Sequence, residues 1–540
     1  MQYGWRHTFV RYVTSDCGGV ADIDTQKHGY SNGTLDTVRT ALSAGMDTDC
    51  RWPGGNGNAH YMDSTGMTQH YKDKRVAVLA DQALTRLFTT QMRLGFADRR
   101  TDVPLGSVGQ EVVNTAAHQQ LAKEAADQSL VLLKNVRSTL PLDVYAIGRG
   151  KKIAVIGRNA MATTAMQGNY NGPAPYTISP CAGIAAGVGI DRDATFCDNG
   201  SDGGTAVASQ IKSGQVVAVV LVVGLVSEAA VGPQLDAPLL RNERRAGNHH
   251  KRKHNHDNKH KLKPDEAEDH DRLGLRLPAG QDALIATVCA AASAAHIPCI
   301  VLTMNGGPLD ITAARDNDNV GAIMWVGYPG QSGGTAIADA IFGRTNPSAR
   351  LSMTWYPESF VKQVSLSDYR MRPDKASGYP GRTHRFYNGP TVFPFGHGLS
   401  YTVFEHDVHT VEFQKGAYKK VQYETLMLTT PAKSTTIGHA MIDVKNTGQR
   451  DGHEVVLLFA GIQCTEKERE RSGAPLHNLI GFDRVYLRAG ESKSIKLPIT
   501  THSMSFAGRQ KGTKEVPKGW KFWTGKSDEG GEKGLRAGLG

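Results

Sequence analysis

Apolar positions along this chain follow two rhythms. From residue 152 short apolar runs at 153–156, 216–223, 299–303 and 322–326 read as strands, with helical spacing at 281–295 before the third of them and at 335–342 after the last. Such alternation predicts a parallel sheet with helices on both faces. Ahead of it, 118–128 has a helical pattern and 130–133 reads as a buried strand. The longest apolar run, 216–226, is too short to span a bilayer and suits a strand covered on both faces. From about residue 405 the period becomes two: strands at 442–444, 455–459 and 494–497, with turns at Asn446-Thr447-Gly448-Gln449 and Leu487-Arg488-Ala489-Gly490, predict an all-β sandwich. The first 100 residues contain two strand-to-helix units, a buried strand at 9–14 with a helix at 34–43, and a strand at 45–50 with a helix at 71–94.

Composition narrows the class. A chain of 540 residues with 39% apolar content has ample core for about three or four domains. The formal net charge of +10 is concentrated: residues 232–264 hold nine Lys or Arg against three Asp or Glu. A nucleic-acid reading would rest on 241–263 alone, so neither a nucleic-acid nor a membrane partner is expected. This basic stretch, with His249-His250-Lys251-Arg252-Lys253-His254-Asn255-His256 at its centre, has no apolar periodicity. It reads as an inserted disordered loop or as translated non-coding sequence; the functional alternative is a metal- or polyanion-binding loop. Seven cysteines without a Cys-x-x-Cys spacing do not make a disulfide scaffold. Cys17 with Cys50, and Cys181 with Cys197, can pair in an oxidising compartment, free buried thiols being the alternative. The opening Met1-Gln2-Tyr3-Gly4-Trp5 lacks the pattern of an export signal, which taken alone predicts a cytosolic protein.

The first strand ends on a carboxylate. In Tyr12-Val13-Thr14-Ser15-Asp16-Cys17-Gly18-Gly19 the glycine pair stops the strand just after Asp16, and in a β/α barrel such a junction lies on the catalytic rim. Taken by itself, a Ser-Asp pair also serves as a turn or helix cap. Gly157-Arg158-Asn159-Ala160 follows a strand but lacks the glycine-rich dinucleotide fingerprint, so no nucleotide cofactor is expected.

Further stretches stand in order behind the Asp16 segment. They are Ala41-Leu42-Ser43-Ala44-Gly45-Met46-Asp47-Thr48-Asp49-Cys50, Val131-Leu132-Leu133-Lys134-Asn135, Lys152-Ile153-Ala154-Val155-Ile156-Gly157 and Gly327-Tyr328-Pro329-Gly330. Tyr379-Pro380-Gly381-Arg382-Thr383 and Phe393-Pro394-Phe395-Gly396-His397-Gly398-Leu399-Ser400-Tyr401 complete the set. Together they resemble glycoside hydrolase family 3, in the β-D-xylosidase and α-L-arabinofuranosidase branch of plants and fungi. The resemblance implies an α/β chain: part of a (β/α)8 barrel at 1–100, a linker at 101–118, an α/β sandwich domain with parallel sheet at 119–375, a connector at 376–404 and a fibronectin type III-like β-sandwich at 405–525. About six barrel units precede the nucleophile in that family, so two units alone would leave an apolar face uncovered. The Gly/Lys/Glu-rich tail at 526–540 is expected to be disordered.

The resemblance further implies a retaining exo-glycosidase without metal or organic cofactor, acting on xylo-oligosaccharide or arabinoxylan-derived substrate. Retention needs one ionised carboxylate and one that holds a proton, about 5–5.5 Å apart. Asp16 takes the first role. Glu268, in Glu266-Ala267-Glu268-Asp269-His270-Asp271-Arg272, takes the second, with Leu277-Pro278-Ala279-Gly280-Gln281 following as in the family. Glu228 and Glu266 are competitors for that role, and a solvated acidic loop paired with Arg272 is the non-catalytic reading. Family members of this branch are secreted, which implies an export signal on upstream sequence. A carbohydrate-binding protein without turnover is the alternative function.

Overall fold

A computed structural model describes residues 12–24, 29–50, 64–148, 150–168, 171–172, 174–189, 195–227, 265–266, 271–426, 434–508, 514–526 and 534–539. Met1–Thr115 and Ala116–Gly540 form two compact units. In the first, Thr14 and Thr48 make a parallel bridge, and each is followed by a helix, Thr34–Ala44 and Lys74–Arg93. This is the repeating order of a β/α barrel. Val38, Leu42, Val76 and Ala83 pack the two helices together. Asp73 starts the second helix by accepting from the amides of Arg75 and Val76.

The expected buried strand at 9–14 is corrected: residues 9–11 lie outside the described part, and Tyr12 and Val13 are exposed at 38% and 55%. Apolar side chains on and beyond the helix Lys74–Arg93 are exposed as well, among them Phe88, Met92, Leu94 and Phe96.

The second unit is built on a six-stranded sheet. Its strands are β1 (Val131–Asn135), β2 (Lys152–Ile156), β3 (Thr195–Asp198), β4 (Val216–Gly224), β5 (Cys299–Met304) and β6 (Ala322–Trp325), and they lie in the order β1-β6-β5-β4-β2-β3. All pairs are parallel except β1 with β6, which is antiparallel. β1, which the sequence pattern sets ahead of the alternating series, follows the helix Ala116–Ser129 and enters this edge from outside the βαβ series. β4 explains the longest apolar run. Ala218, Val220 and Val222 enter one core with Ile184 and Ile337, while Val219, Leu221 and Val223 enter another with Leu284 and Ile285. A strand with two buried faces has no polar face to show, hence its continuous apolar sequence. Gly157 has φ +128°, and a Cβ there would sit 2.4 Å from the Val222 carbonyl oxygen. It serves strand packing.

The strands of the β-sandwich are β7 (Phe404–Phe413), β8 (Thr436–Asn446), β9 (Gly452–Ile462), β10 (Asn478–Leu487), β11 (Ser492–Thr500), the small ribbon β12 (Phe506–Ala507) with β13 (Lys514–Glu515), β14 (Gly519–Thr524) and β15 (Leu535–Gly538). A three-stranded sheet, β11-β8-β7, faces a four-stranded one, β10-β9-β14-β15. On β8, Ile437, Ala440, Ile442 and Val444 face the core, and Trp520 and Phe522 of β14 fill it. Two findings depart from expectation. Helices Ala417–Leu426 and Glu466–Ser472 interrupt the all-β pattern, the second opened by a Thr465/Glu468 capping box. The tail is also corrected: β15 pairs with β14, Trp520 opposite Ala537, and Leu539 is 1% exposed. An edge strand offers unpaired backbone groups that even a Gly-rich segment can satisfy.

Candidate active site

Asp16 sits in a lattice of short contacts that fixes the backbone on either side of it. Before it, the Val13 amide donates to Asp47 Oδ2 at 2.8 Å, and the Ser15 amide donates to the Thr48 carbonyl at 3.0 Å. Asp47 is buried and paired with Arg86 Nη2 at 2.6 Å. The Ser15 hydroxyl donates to Asp49 Oδ1 at 3.0 Å and accepts from the Cys50 amide at 2.9 Å. Beyond Asp16, Cys17 is disulfide-bonded to Cys50, and the Gly18 amide donates to the Cys50 carbonyl at 2.9 Å. Gly18, at φ +82°, turns the chain into the helical turn Gly19–Asp22. The carboxylate itself is exposed, with Oδ1 oriented by the Cys17 amide at 2.8 Å. A rigid backbone thus presents one carboxylate.

In the second unit, Asp265 and Glu266 lie where four strands of the sheet end. The Asp265 carboxylate accepts from Arg158, just after β2, at 2.7 Å and from the Val226 amide, just after β4, at 2.9 Å. Glu266 Oε1 accepts from the Gly306 amide, after β5, at 2.9 Å and from the Tyr328 phenol, after β6, at 2.6 Å. Glu266 Oε2 stands 3.3 Å from Arg272 Nε, and Arg272 Nη2 donates to the Pro308 carbonyl at 3.1 Å. Burial, then the neighbouring Glu266 carboxylate, hold the Tyr328 phenol far above its usual titration range. Ligands of open α/β sheets bind at carboxyl edges of this kind. Glu268, Glu228 and the basic stretch 232–264 lie outside the described residues. The Arg272 pairing expected of an acidic loop is made by Glu266.

A family model for the glycosyl hydrolase family 3 C-terminal domain matches residues 130–401, and one for the fibronectin type III-like domain matches 454–528. The chain belongs to glycosyl hydrolase family 3. This family 3 chain is 35% identical to β-D-xylosidase 3 of Arabidopsis thaliana over 508 residues, which cover 90% of the chain and 57% of that protein. It is 34% identical to β-xylosidase/α-L-arabinofuranosidase 2 of Medicago sativa subsp. varia, over 90% of the chain and 56% of that protein. A solved GH3 exo-β-xylosidase, in complex with a xylobiose aziridine activity-based probe, matches with TM-score 0.76 and 28% identity, covering 98% of the chain and 61% of that one. The chain therefore spans less than two thirds of the length of these relatives.

Some further features of the family 3 chain are legible in its sequence and some are not. Both expected cysteine pairs form, and a third, Cys289–Cys299, links the helix Gln281–Ala294 to β5. Helical and strand periodicity count both of these cysteines as core, so nothing in the pattern marks them as partners. Tyr328 stands in the sequence as one letter of a Gly-Tyr-Pro-Gly block, and no spacing rule ties it to Glu266. Among the described residues, no group of three or more His, Cys, Asp or Glu is placed to hold a metal ion, and no helix is long and apolar enough to cross a membrane.

Proposed function

We propose that this chain carries both carboxylates of a retaining exo-glycosidase that releases β-D-xylose, and α-L-arabinofuranose as a second pentose, from xylan-derived oligosaccharides. Asp16 attacks the anomeric carbon as the glycosidic C–O bond breaks, and Glu268 gives its proton to the leaving oxygen. Glu268 then takes a proton from water, whose oxygen displaces Asp16 and frees the sugar. The observation that carries this reading is the fixed presentation of Asp16: bonds to Asp47, Thr48, Cys50 and Asp49 hold the backbone around a carboxylate that stays open. Glu266 is the weaker acid candidate, because the Gly306 amide, the Tyr328 phenol and Arg272 already engage its oxygens. The domain plan that goes with this function is a barrel part to about residue 100, an α/β sandwich at 119–375, a connector at 376–404 and a fibronectin type III-like domain from 405. Three disulfides support an extracellular, oxidising location.

The test is hydrolysis of an aryl β-xyloside by the full-length protein. Asp16→Asn is expected to abolish it, and Glu268→Gln to lose activity that azide restores on an activated aryl substrate. Turnover that survives Asp16→Asn removes the proposal.

A further inference from the structure

The turn that leaves β3 reads Asn199-Gly200-Ser201, the Asn-x-Ser/Thr triplet that accepts N-linked sugar. We propose that Asn199 carries an N-linked glycan. This goes beyond the catalytic reading and rests only on its extracellular, oxidising location, which the neighbouring Cys181–Cys197 bridge supports.

A turn alone would also favour these residue types, and the hydrogen bonds separate the two explanations. Asn199 Oδ1 accepts from the Ser201 amide at 3.0 Å, and the Gly203 amide donates to the Gly200 carbonyl at 3.1 Å. These bonds close the turn. They use neither the Asn199 Nδ2 nor the Ser201 hydroxyl, which have no hydrogen-bond partner among the described residues. Those are the two groups that sugar transfer needs, one as acceptor and one as the feature the transferase reads. Both residues are exposed. Gly200 between them has φ +72°, and a Cβ there would lie 2.8 Å from Leu284 Cδ2. The backbone thus rests on the core while its two neighbours stay in solvent. β3 is also the last strand of its sheet, with β2 as its one strand partner among the described residues, so no further strand occupies the space beside the turn.

The same triplet occurs at Asn32-Gly33-Thr34, and the surroundings favour Asn199. Asn32 stands among exposed apolar side chains, Tyr30 at 78% and Leu35 at 37%, so its exposure does not mark a face meant for water. Asn199 is followed by Ser201 and Asp202, both exposed, and Asp202 starts the helix Thr205–Lys212 by accepting from the Ala206 amide at 2.7 Å. In the transfer, Nδ2 forms a bond to the anomeric carbon of an oligosaccharide held on a lipid pyrophosphate. The anomeric C–O bond breaks, the pyrophosphate leaves with its electron pair, and Nδ2 gives up one proton to a base of the transferase.

The experiment expresses the full-length protein in a eukaryotic host and removes N-glycans with a peptide N-glycosidase in heavy-oxygen water. That step turns a glycan-bearing asparagine into a labelled aspartate, which mass spectrometry of the peptides locates. The expected result is label at position 199 in the wild-type protein and in Ser201→Thr, and none in Ser201→Ala, whose intact mass falls by one glycan. Ser201→Ala retains the amide that closes the turn, so the loss is not one of folding. An Asn-Gly pair also deamidates spontaneously, and label that survives in Ser201→Ala would be that reaction and overturns the proposal. Thiols are counted on the same sample. An unlabelled position 199 in wild-type protein with its disulfides formed overturns the glycan alone, whereas an unlabelled position with all seven cysteines free overturns the extracellular location as well.

Discussion

Arg350 and Glu454 meet at 2.5 Å, joining the chain that leaves the α/β sheet to strand β9 of the sandwich. Glu454 is 3% exposed, and its other oxygen lies 3.1 Å from His406 Nε2 on β7. A carboxylate this deep is tolerable only with its partners in place. Arg350→Met is therefore expected to cost about 3–5 kcal/mol, read as a shift in the urea midpoint, because it leaves a buried charge unpaired. Arg350→Met with Glu454→Met should recover much of that loss, since an apolar pair of similar volume carries no desolvation penalty. Recovery would show that the ion pair confers specificity of docking more than stability.

The same carboxylate gives a pH dependence. Burial acts to raise its pKa, but His406 and Arg350 outweigh it, so Glu454 titrates below its ordinary value. A depressed carboxylate contributes fully above its unfolded value of about 4.3, and the contribution is lost as pH falls through the native value. Two histidines shift stability in the same direction at higher pH. His384 stacks on Phe395 at 4.2 Å and on His477 at 5.7 Å. Burial, with Arg385 beside it, lowers His384 to about 4; burial, with His384 and Arg469, lowers His477 to about 3. Both are neutral when folded and take up protons on unfolding below about 6.5. Melting temperature is expected to fall steadily from about pH 6.5 to about pH 4, and His477→Phe to flatten that slope. An unchanged slope in the variant would mean that these rings do not govern acid sensitivity.

The cysteines allow a count. Three pairs and the free Cys464 predict one titratable thiol in the unfolded, unreduced protein and seven after reduction. Cys17–Cys50 bridges a separation of 33 residues, worth about 3–4 kcal/mol in chain entropy. Its larger effect should be local. Cys50→Ser frees the backbone just past Asp16, so kcat on an aryl xyloside is expected to fall while urea unfolding of the α/β sheet stays unchanged. Equal activity in Cys50→Ser would show that the Ser15, Asp49 and Thr48 bonds hold Asp16 without the bridge.

Elements whose period is set by burial are legible in the sequence. The run at 216–223, the helix at 281–295 and the alternation at 442–444 all follow from which face meets a core. What periodicity cannot carry is a partner that lies far along the chain. β1 runs antiparallel to β6, Asn135 opposite Ala322, and neither strand's own letters record that partnership or its direction. The tail at 535–538 departs from expectation for a related reason, since its composition is that of a solvated chain and it is the open edge of β14 that orders it. At the candidate site, Asp16 is legible because a strand, a carboxylate and a glycine pair stand side by side. Tyr328 and Glu266 are 62 positions apart, and their hydrogen bond is visible only in three dimensions.

β4 is a wall shared by two interiors. Val220 belongs to one and Leu221 to the other, next to it in sequence and on the opposite side of the sheet. The two sets of side chains belong to separate cores, so truncations well separated across the wall should add, while pairs on one side should couple. Substitutions can thus accumulate independently on either side of a single strand.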